Sequence, residues 1–278
     1  MLSARYADLP EVASRLSSNY SQADPFPNIV LDDFFELNFL QSVLAEFPNL
    51  EEVDALRFKN RREVKLASLG ESSFGPKTKE LMHFLNSEPF LCFLQKLTGI
   101  DEPLIGDPYF FGGGQHEIKP GGLLKVHADF NKHVKLKLDR RLNFLIYLNE
   151  NWEESFGGHF ELWDENMNAC KKRILPVMNR VAIFSTTDFS FHGHPDPLKC
   201  PENMSRKSLA LYYYSNGRPA IEINSGLEDH STLFKERPGS DEGLFAEELE
   251  GKSSSLKSFA RDIAPPILWR LFHKLFRN

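Results

Sequence analysis

The sequence predicts a mainly β domain with helical additions on its N-terminal side, and three observations support this fold class. Short apolar segments alternate with glycine- and proline-containing turns between residues 103 and 224. Short strands at regular spacing are typical of a sandwich or barrel, and eight of them would suit a jelly roll. Residues 77–97 instead carry apolar side chains at helical spacing. The 278-residue chain is 41% apolar and 26% charged, which is enough for a sizeable core.

The region 1–102 is predicted to be a helical support that packs on the β core. Its elements are expected to be a weak helix at residues 11–19, a strand at 25–31, a helix at 35–47, a strand near 63–66, and one or two helices over 77–97 that are interrupted at Pro89. Asp32 and Asp33 precede the pattern at 35–47 and are expected to cap that helix.

The region 103–224 is predicted to be the β core itself. Its strands are expected at residues 115–119, 123–129, 143–148, 159–163, 180–184, 208–214 and 220–223. The polar stretch 131–141 contains His133 and is expected to be a solvated loop that flanks the mouth of the barrel.

The region 225–278 has a different character. Residues 225–255 are acidic and rich in serine and glycine, which predicts a linker. Residues 265–277 predict an amphipathic helix with one apolar and one basic face. Such a helix binds a membrane surface or a partner, but docking of its apolar face on the domain is the favoured interpretation.

Charge and cysteine content argue against several classes of protein. The formal net charge is −6 and the pI about 5.9, without a basic stripe, so a nucleic-acid partner is not expected. Cys92, Cys170 and Cys200 are odd in number and scattered, which favours a reducing compartment over a disulfide framework. Residues 1–10 lack the apolar run of a signal peptide, and no run of about 18 apolar residues is present. A cytoplasmic protein is expected.

The chemistry is predicted to centre on His127 and Asp129. Side chains two residues apart on a strand point the same way, so this imidazole and this carboxylate share one face. Such a pair is frequent by chance, but here it follows a Pro-Gly-Gly turn at 120–122 and ends a predicted strand. A third ligand is offered downstream by His192 or His194. Two histidines and one carboxylate form the facial triad of non-haem Fe(II) oxygenases.

A cation follows the second histidine pair. Arg206 lies beyond His192, at the start of the next predicted strand. Oxygenases with this triad bind a 2-oxo acid on two open iron positions, and the planar arginine fork suits its far carboxylate. Lys207 is a rival anchor, but adjacent strand residues point to opposite faces, so both cannot serve.

Together these residues resemble the Fe(II)/2-oxoglutarate-dependent dioxygenases, in particular their prolyl 4-hydroxylase-like branch. The resemblance covers about residues 105–220 and rests on the motif at 127–129, the strand 142–149, the Gly157-Gly158 pair, the segment 184–192 and the strand 206–214. It implies a double-stranded β-helix, a form of jelly roll, whose open end holds Fe(II). It also implies 2-oxoglutarate and O2 as cosubstrates, with ascorbate as an optional addition.

The resemblance also implies individual roles. His127, Asp129 and His192 match the iron ligands, and the spacing from Phe184 favours His192 over His194 as the third. His194 is then left either beside the ligands or facing the substrate.

The cosubstrate pocket is assigned in the same way. Arg206 matches the arginine that binds the distal carboxylate of 2-oxoglutarate. Tyr147 lies two residues before Asn149, where a tyrosine of animal prolyl hydroxylases contacts the same carboxylate. Asn143 lies on the same strand face as Tyr147 and is expected to line the pocket.

The activity implied is hydroxylation of an unactivated C–H bond, with release of succinate and CO2. A prolyl residue in a protein or peptide is the favoured substrate, and a related small molecule is the alternative. Asp129 argues against a halogenase, since halogenases of this superfamily lack the carboxylate. Two other functions stay open: a non-catalytic jelly-roll binding module with a vestigial metal site, and a cupin-type hydrolase or isomerase, which would not need Arg206.

Overall fold

The computed structural model of the chain describes residues 1–222 and 229–240. These residues belong to one unit, Met1–Asp241. The second unit, Glu242–Asn278, lies outside the described residues, and so does the amphipathic helix predicted at 265–277. Of the predicted linker, only residues 229–240 are described. No helix in the described ranges is long and apolar enough to cross a membrane.

Four α-helices lie in the N-terminal part of the described chain: α1 (Leu9–Ser21), α2 (Leu37–Ala45), α3 (Pro76–Leu85) and α4 (Glu88–Thr98). The Asp8 carboxylate caps α1 by accepting a hydrogen bond of 3.0 Å from the Glu11 amide. The predicted capping of α2 is wrong. Asp32 ends a strand and pairs with Arg180 at 2.6 Å, and α2 begins only at Leu37, without a side-chain cap.

Twelve strands among the described residues form one curled antiparallel sheet. They are β1 (Asn28–Asp32), β2 (Ala55–Lys59), β3 (Glu63–Ser68), β4 (Gly114–Ile118), β5 (Leu123–Ala128), β6 (Asp139–Tyr147), β7 (Phe160–Trp163), β8 (Cys170–Ile174), β9 (Arg180–Ser185), β10 (His192–His194), β11 (Arg206–Ser215) and β12 (Leu233–Phe234). The main order is β1-β9-β6-β11-β4-β3-β5-β10-β7-β8, with β2 beside β3 and β12 beside β5. Strands distant in sequence are neighbours, as in a jelly roll, so the predicted fold class is confirmed.

The two faces of β11 serve two purposes. Leu209, Leu211 and Tyr213 face the largest hydrophobic cluster, which also contains side chains from all four helices. The Tyr213 hydroxyl donates to the Leu85 carbonyl oxygen at the end of α3, at 3.0 Å. Arg206 takes the alternate position and faces the interior of the barrel. The helices therefore support the sheet from outside, and the inner face is left for polar residues.

The short strands are where the sequence and the structure differ. β2, β8, β10 and β12 are not predicted. β8, β10 and β12 lack a clear apolar alternation, and β2 lies in a charged stretch. The strand predicted at 220–223 is wrong over its described part, since Ala220–Glu222 forms a 3-10 helix.

The loop that follows β5 is held more firmly than its polar composition suggests. His133 is fully buried, with Nε2 3.3 Å from Asp107 Oδ1. Its Nδ1 accepts hydrogen bonds from the amides of Lys135 and Leu136 at 3.1 and 3.0 Å. The expectation of a solvated His133 is therefore wrong, because this imidazole organises the loop from within.

Candidate active site

The pairing of β5 with β10 brings the predicted ligands together. His127 lies opposite His192 in the antiparallel register, and their ring centroids are 4.5 Å apart. Asp129 follows the end of β5, with Oδ1 3.6 Å from His127 Nε2 and Oδ2 3.3 Å from His192 Nε2. One ligand atom from each of the three residues lies within 4.8 Å of the others, and the described residues contain no second group of this kind.

Both histidines present the same nitrogen to the cluster. His127 Nδ1 is 2.8 Å from the Lys125 carbonyl oxygen, and His192 Nδ1 is 2.7 Å from the Ser190 carbonyl oxygen. Because a carbonyl oxygen only accepts, each Nδ1 carries the proton and each Nε2 keeps its lone pair. A hydrogen bond from the outer nitrogen is the usual way in which a metal-binding histidine is oriented.

The charges around the cluster suit metal binding. Burial would raise the pKa of Asp129, but the Arg140 charge and the contacts with both histidines hold it well below its usual value. Burial and the neighbouring His192 lower the pKa of His127. An ionised carboxylate and a neutral imidazole are the protonation states that a metal ion requires.

A buried arginine and an asparagine hold the carboxylate in place. Arg140 Nη2 is 3.0 Å from Asp129 Oδ2, and the same oxygen accepts a hydrogen bond of 2.7 Å from Asn143 Nδ2. Arg140 also donates to Asn143 Oδ1, at 3.0 Å through Nε and at 2.7 Å through Nη2. The guanidinium carbon lies 4.3 and 3.5 Å from the ring centroids of Phe130 and Tyr212. Asn143 is thus placed at the Asp129 carboxylate.

The sequence by itself gives no sign of the role of Arg140. It stands next to Arg141 near the start of β6, and both arginines are buried. Arg141 instead forms ion pairs with Glu102 at 2.7 Å and Glu222 at 3.2 Å. Only the position of the strand relative to Asp129 distinguishes the two.

A second buried cation, Arg206, lies farther along the barrel interior. Its Nε donates to the Gly158 carbonyl oxygen at 2.9 Å, and its guanidinium carbon is 5.0 Å from the Tyr147 ring centroid. The Tyr147 hydroxyl is buried without a hydrogen-bond partner, and burial raises the pKa of Tyr147 despite the Arg206 charge. Within the described ranges Arg206 forms no ion pair, although it is only 4% exposed. An unpaired buried charge is costly, so this part of the barrel suits a bound anion.

Gly158 makes room for Arg206. Its φ is +70°, and a Cβ there would lie 2.6 Å from Leu198 Cδ2 and 3.1 Å from Arg206 Cδ. Only glycine adopts this backbone without strain and leaves that space open. The Gly157-Gly158 pair of the sequence therefore has a physical role, because the missing side chain of Gly158 leaves the space that the Arg206 side chain occupies.

Lys207, the rival anchor, points away from the barrel. Its Nζ is 2.6 Å from Ser205 Oγ and 3.7 Å from Glu117 Oε1. The alternation along β11 therefore leaves Arg206 as the inward-facing cation of the two.

His194 shares the inward face of β10 with His192 but is not part of the three-residue cluster. It is 3% exposed, and neither ring nitrogen has a hydrogen-bond partner. Burial and the nearby Arg206 charge hold the pKa of His194 well below its usual value. The ring is therefore a neutral, unpaired polar group inside the barrel.

Comparison with known proteins shows what the region around this site is similar to. The sequence model of the 2OG-Fe(II) oxygenase superfamily matches residues 114–214, a range that contains the whole three-residue cluster and Arg206. Over these residues the chain is similar to that superfamily. The predicted resemblance to the Fe(II)/2-oxoglutarate-dependent dioxygenases is confirmed.

One curated relative is the prolyl 3-hydroxylase OGFOD1 of Mus musculus, which is 26% identical over 238 residues. The match covers 76% of this chain but only 38% of that relative. A prolyl-4-hydroxylase from Pseudomonas putida has the same fold, with 13% identity and a TM-score of 0.52 over 74% of this chain and 100% of that one. A prolyl hydroxylase from Trichoplax adhaerens, solved with a hypoxia inducible factor peptide fragment, is 17% identical, with a TM-score of 0.55 over 77% and 94%.

Proposed function

We propose that the enzyme hydroxylates an unactivated C–H bond of a prolyl residue in a protein or peptide. In this reaction 2-oxoglutarate loses CO2 and becomes succinate, which takes up one oxygen atom of O2, while the other enters the substrate as a hydroxyl group. The observation that carries the proposal is the cluster of two buried histidines, His127 and His192, with Asp129, in which both Nδ1 protons are donated to backbone carbonyl oxygens.

The residues of the cluster fit Fe(II) in charge and donor type, and we assign them as its ligands. Two imidazole nitrogens and one carboxylate on one side of the metal leave the other positions open. Iron, when bound there, supplies coordination sites for the 2-oxo acid and for O2. Arg140 and Asn143 keep the Asp129 carboxylate ionised and oriented.

We assign Arg206 and Tyr147 to the distal carboxylate of 2-oxoglutarate. The guanidinium supplies the positive charge, and the Tyr147 hydroxyl supplies a donor that has no other partner. Charge-assisted hydrogen bonds of this kind are stronger than those between neutral groups. The two alternative functions, a non-catalytic binding module and a cupin-type hydrolase, would leave the arginine without an ion pair in the barrel unexplained.

Two observations support a prolyl substrate. The mouse relative is named a prolyl 3-hydroxylase, and the Trichoplax enzyme was solved with a peptide. Phe130 and Tyr212, whose ring centroids are 6.1 Å apart, stand beside the Arg140–Asp129 ion pair and offer apolar surface for a pyrrolidine ring. A related small molecule is the alternative substrate.

We also propose a cytoplasmic location. Cys92, Cys170 and Cys200 are free thiols, as expected for a reducing compartment.

The test is succinate formation from 2-oxoglutarate with Fe(II) in air, together with the mass gain of prolyl peptides from a random library. Wild type should form succinate and add one oxygen atom to proline, and His192→Ala and Asp129→Ala should do neither. His83→Ala is the matched control, because His83 is exposed on α3 and pairs with Glu71. Succinate without any modified prolyl peptide would refute the substrate and keep the reaction class. Failure of wild type to bind either metal or 2-oxoglutarate would favour the binding module.

A further inference from the structure

The chemistry of His194 is not explained by the three-residue cluster. This imidazole is 3% exposed, and neither of its nitrogens has a hydrogen-bond partner. Leaving a buried polar group unpaired costs about 1–3 kcal/mol, so most buried polar side chains do have a partner. An unpaired buried polar group requires an explanation, and a ligand that supplies the partner is one.

His194 lies in the same interior as Arg206 and Tyr147. It is two residues beyond His192 on β10, so both rings point into the barrel. After burial, the Arg206 charge is the next cause that lowers the pKa of His194, so the two side chains are neighbours in this interior. Arg206 in turn lies against the Tyr147 ring.

The backbone next to His194 packs closely on the neighbouring strand. Gly193 packs so closely on β5 that a Cβ there would lie 2.8 and 2.9 Å from the carbonyl oxygens of Leu124 and Lys125. The register between β10 and β5 shifts after His192, and His194 lies opposite Leu124. The close approach of the two strands therefore fixes the backbone that carries His194.

We propose that His194 is a third recognition residue for 2-oxoglutarate, whose ring N–H donates to the distal carboxylate that Arg206 and Tyr147 also bind. This inference rests on the proposed cosubstrate site and deepens it. Three buried polar groups face this interior: the Arg206 cation, which has no ion pair in the described ranges, the Tyr147 hydroxyl beside it, and the His194 imidazole with two unpaired nitrogens. A dicarboxylate would give all three a partner at once.

The consequence is selectivity for dicarboxylic 2-oxo acids. The matched probe is 2-oxopentanoate, which has the same five-carbon chain as 2-oxoglutarate but a methyl group in place of the distal carboxylate. Removal of the His194 donor should therefore weaken the binding of 2-oxoglutarate and leave that of 2-oxopentanoate unchanged.

The experiment compares wild type with His194→Leu, His194→Asn and the control His83→Leu. Mn(II) replaces Fe(II), so that binding is measured without turnover. Binding of Mn(II) and of 2-oxoglutarate is measured by titration, and binding of 2-oxopentanoate by thermal shift at saturating concentrations. His194→Leu should weaken 2-oxoglutarate binding about 10- to 100-fold, as expected for a lost hydrogen bond to a charged group. His194→Asn, which keeps an N–H donor, should recover part of the loss. Mn(II) affinity should not change in either variant.

A second readout separates recognition from a merely structural role. Because both nitrogens lack a partner in the ligand-free protein, His194→Leu should leave its Tm unchanged or raise it. Loss of Mn(II) affinity in the variant would indicate that His194 is a metal ligand. Equal losses of affinity for both 2-oxo acids would indicate that His194 only shapes the pocket. Either result overturns the proposal. Unchanged 2-oxoglutarate binding in His194→Leu overturns the role of His194 alone. A wild type that binds no 2-oxoglutarate overturns the proposed function as well.

Discussion

A substitution of Arg206 should weaken cosubstrate binding strongly and change protein stability little. Its guanidinium is buried, has no ion pair in the described ranges and keeps one hydrogen bond, from Nε to the Gly158 carbonyl oxygen at 2.9 Å. Arg206→Gln removes the charge and shortens the donor. We expect it to abolish tight binding of 2-oxoglutarate without unfolding the protein.

The magnitude follows from the contacts that Arg206 can make. Two parallel hydrogen bonds to a carboxylate contribute about 1.5–3 kcal/mol each, or about 3–6 kcal/mol together. At about 1.4 kcal/mol per factor of ten, 2-oxoglutarate should bind about 100- to 10,000-fold more weakly. Loss of the Gly158 hydrogen bond costs the ligand-free protein about 1 kcal/mol. Removal of an unpaired buried charge offsets that cost, because desolvation of such a charge amounts to several kcal/mol.

The assay is a titration of 2-oxoglutarate into the Mn(II)-loaded variant, with separate titrations of Mn(II) and thermal unfolding of the ligand-free protein. Lys207→Gln is the matched control, since Lys207 is the neighbouring cation on β11 and faces Ser205 and Glu117 instead of the barrel. Equal losses of Mn(II) and 2-oxoglutarate affinity, or a large drop in Tm, would show that Arg206 is structural. A comparable effect of Lys207→Gln would refute the inward assignment of Arg206.

Three further predictions concern other parts of the site. Asn143→Leu removes the 2.7 Å hydrogen bond to Asp129, so Mn(II) affinity measured by titration should fall about 10- to 100-fold; unchanged affinity would contradict an orienting role. Gly158→Ala introduces a Cβ 3.1 Å from Arg206 Cδ, so 2-oxoglutarate should bind more weakly while Mn(II) affinity is kept, and a joint loss would point to a general distortion. Burial, followed by the Lys65 charge, lowers the pKa of His116 from 6.5 to about 3. Below pH 6.5 the unfolded state therefore binds a proton at His116 that the folded state does not bind. The free energy of unfolding is highest above pH 6.5 and falls as the pH drops towards 3, with a loss of about 2 kcal/mol at pH 5. His116→Gln should flatten this part of the curve of unfolding free energy against pH, and an unchanged slope would show that His116 is not responsible.

The strand alternation made much of the site predictable. His127 lies on β5, and Asp129, two residues later, directly follows the end of the strand. Their shared face therefore follows from the two-residue period of an extended backbone alone. The same period predicts that Arg206 and Lys207 point to opposite faces. It does not say which of them faces the barrel, because both are cations at the start of the same strand.

Other parts required long-range contacts that no local pattern encodes. Arg140 acts on Asp129 across the barrel, and the choice between Arg140 and Arg141 depends on which face of β6 meets β5. His133 lies in a polar loop, yet its contacts with Asp107 and the loop amides bury it completely. Polar composition predicted solvent exposure there, and hydrogen bonding within the loop overrode it.

The sequence by itself determined the chemistry of this protein: two histidines and a carboxylate in strand spacing, a cation downstream, and a β core with helical support. Only the tertiary structure decided which histidine joins the cluster, since the register of β10 on β5 places His192 opposite His127 and leaves His194 unpaired beside it. The physical reason is that these two properties have different origins. The face on which a side chain lies is set by its own strand, whereas its neighbours are set by hydrogen bonds between strands that are far apart in the chain.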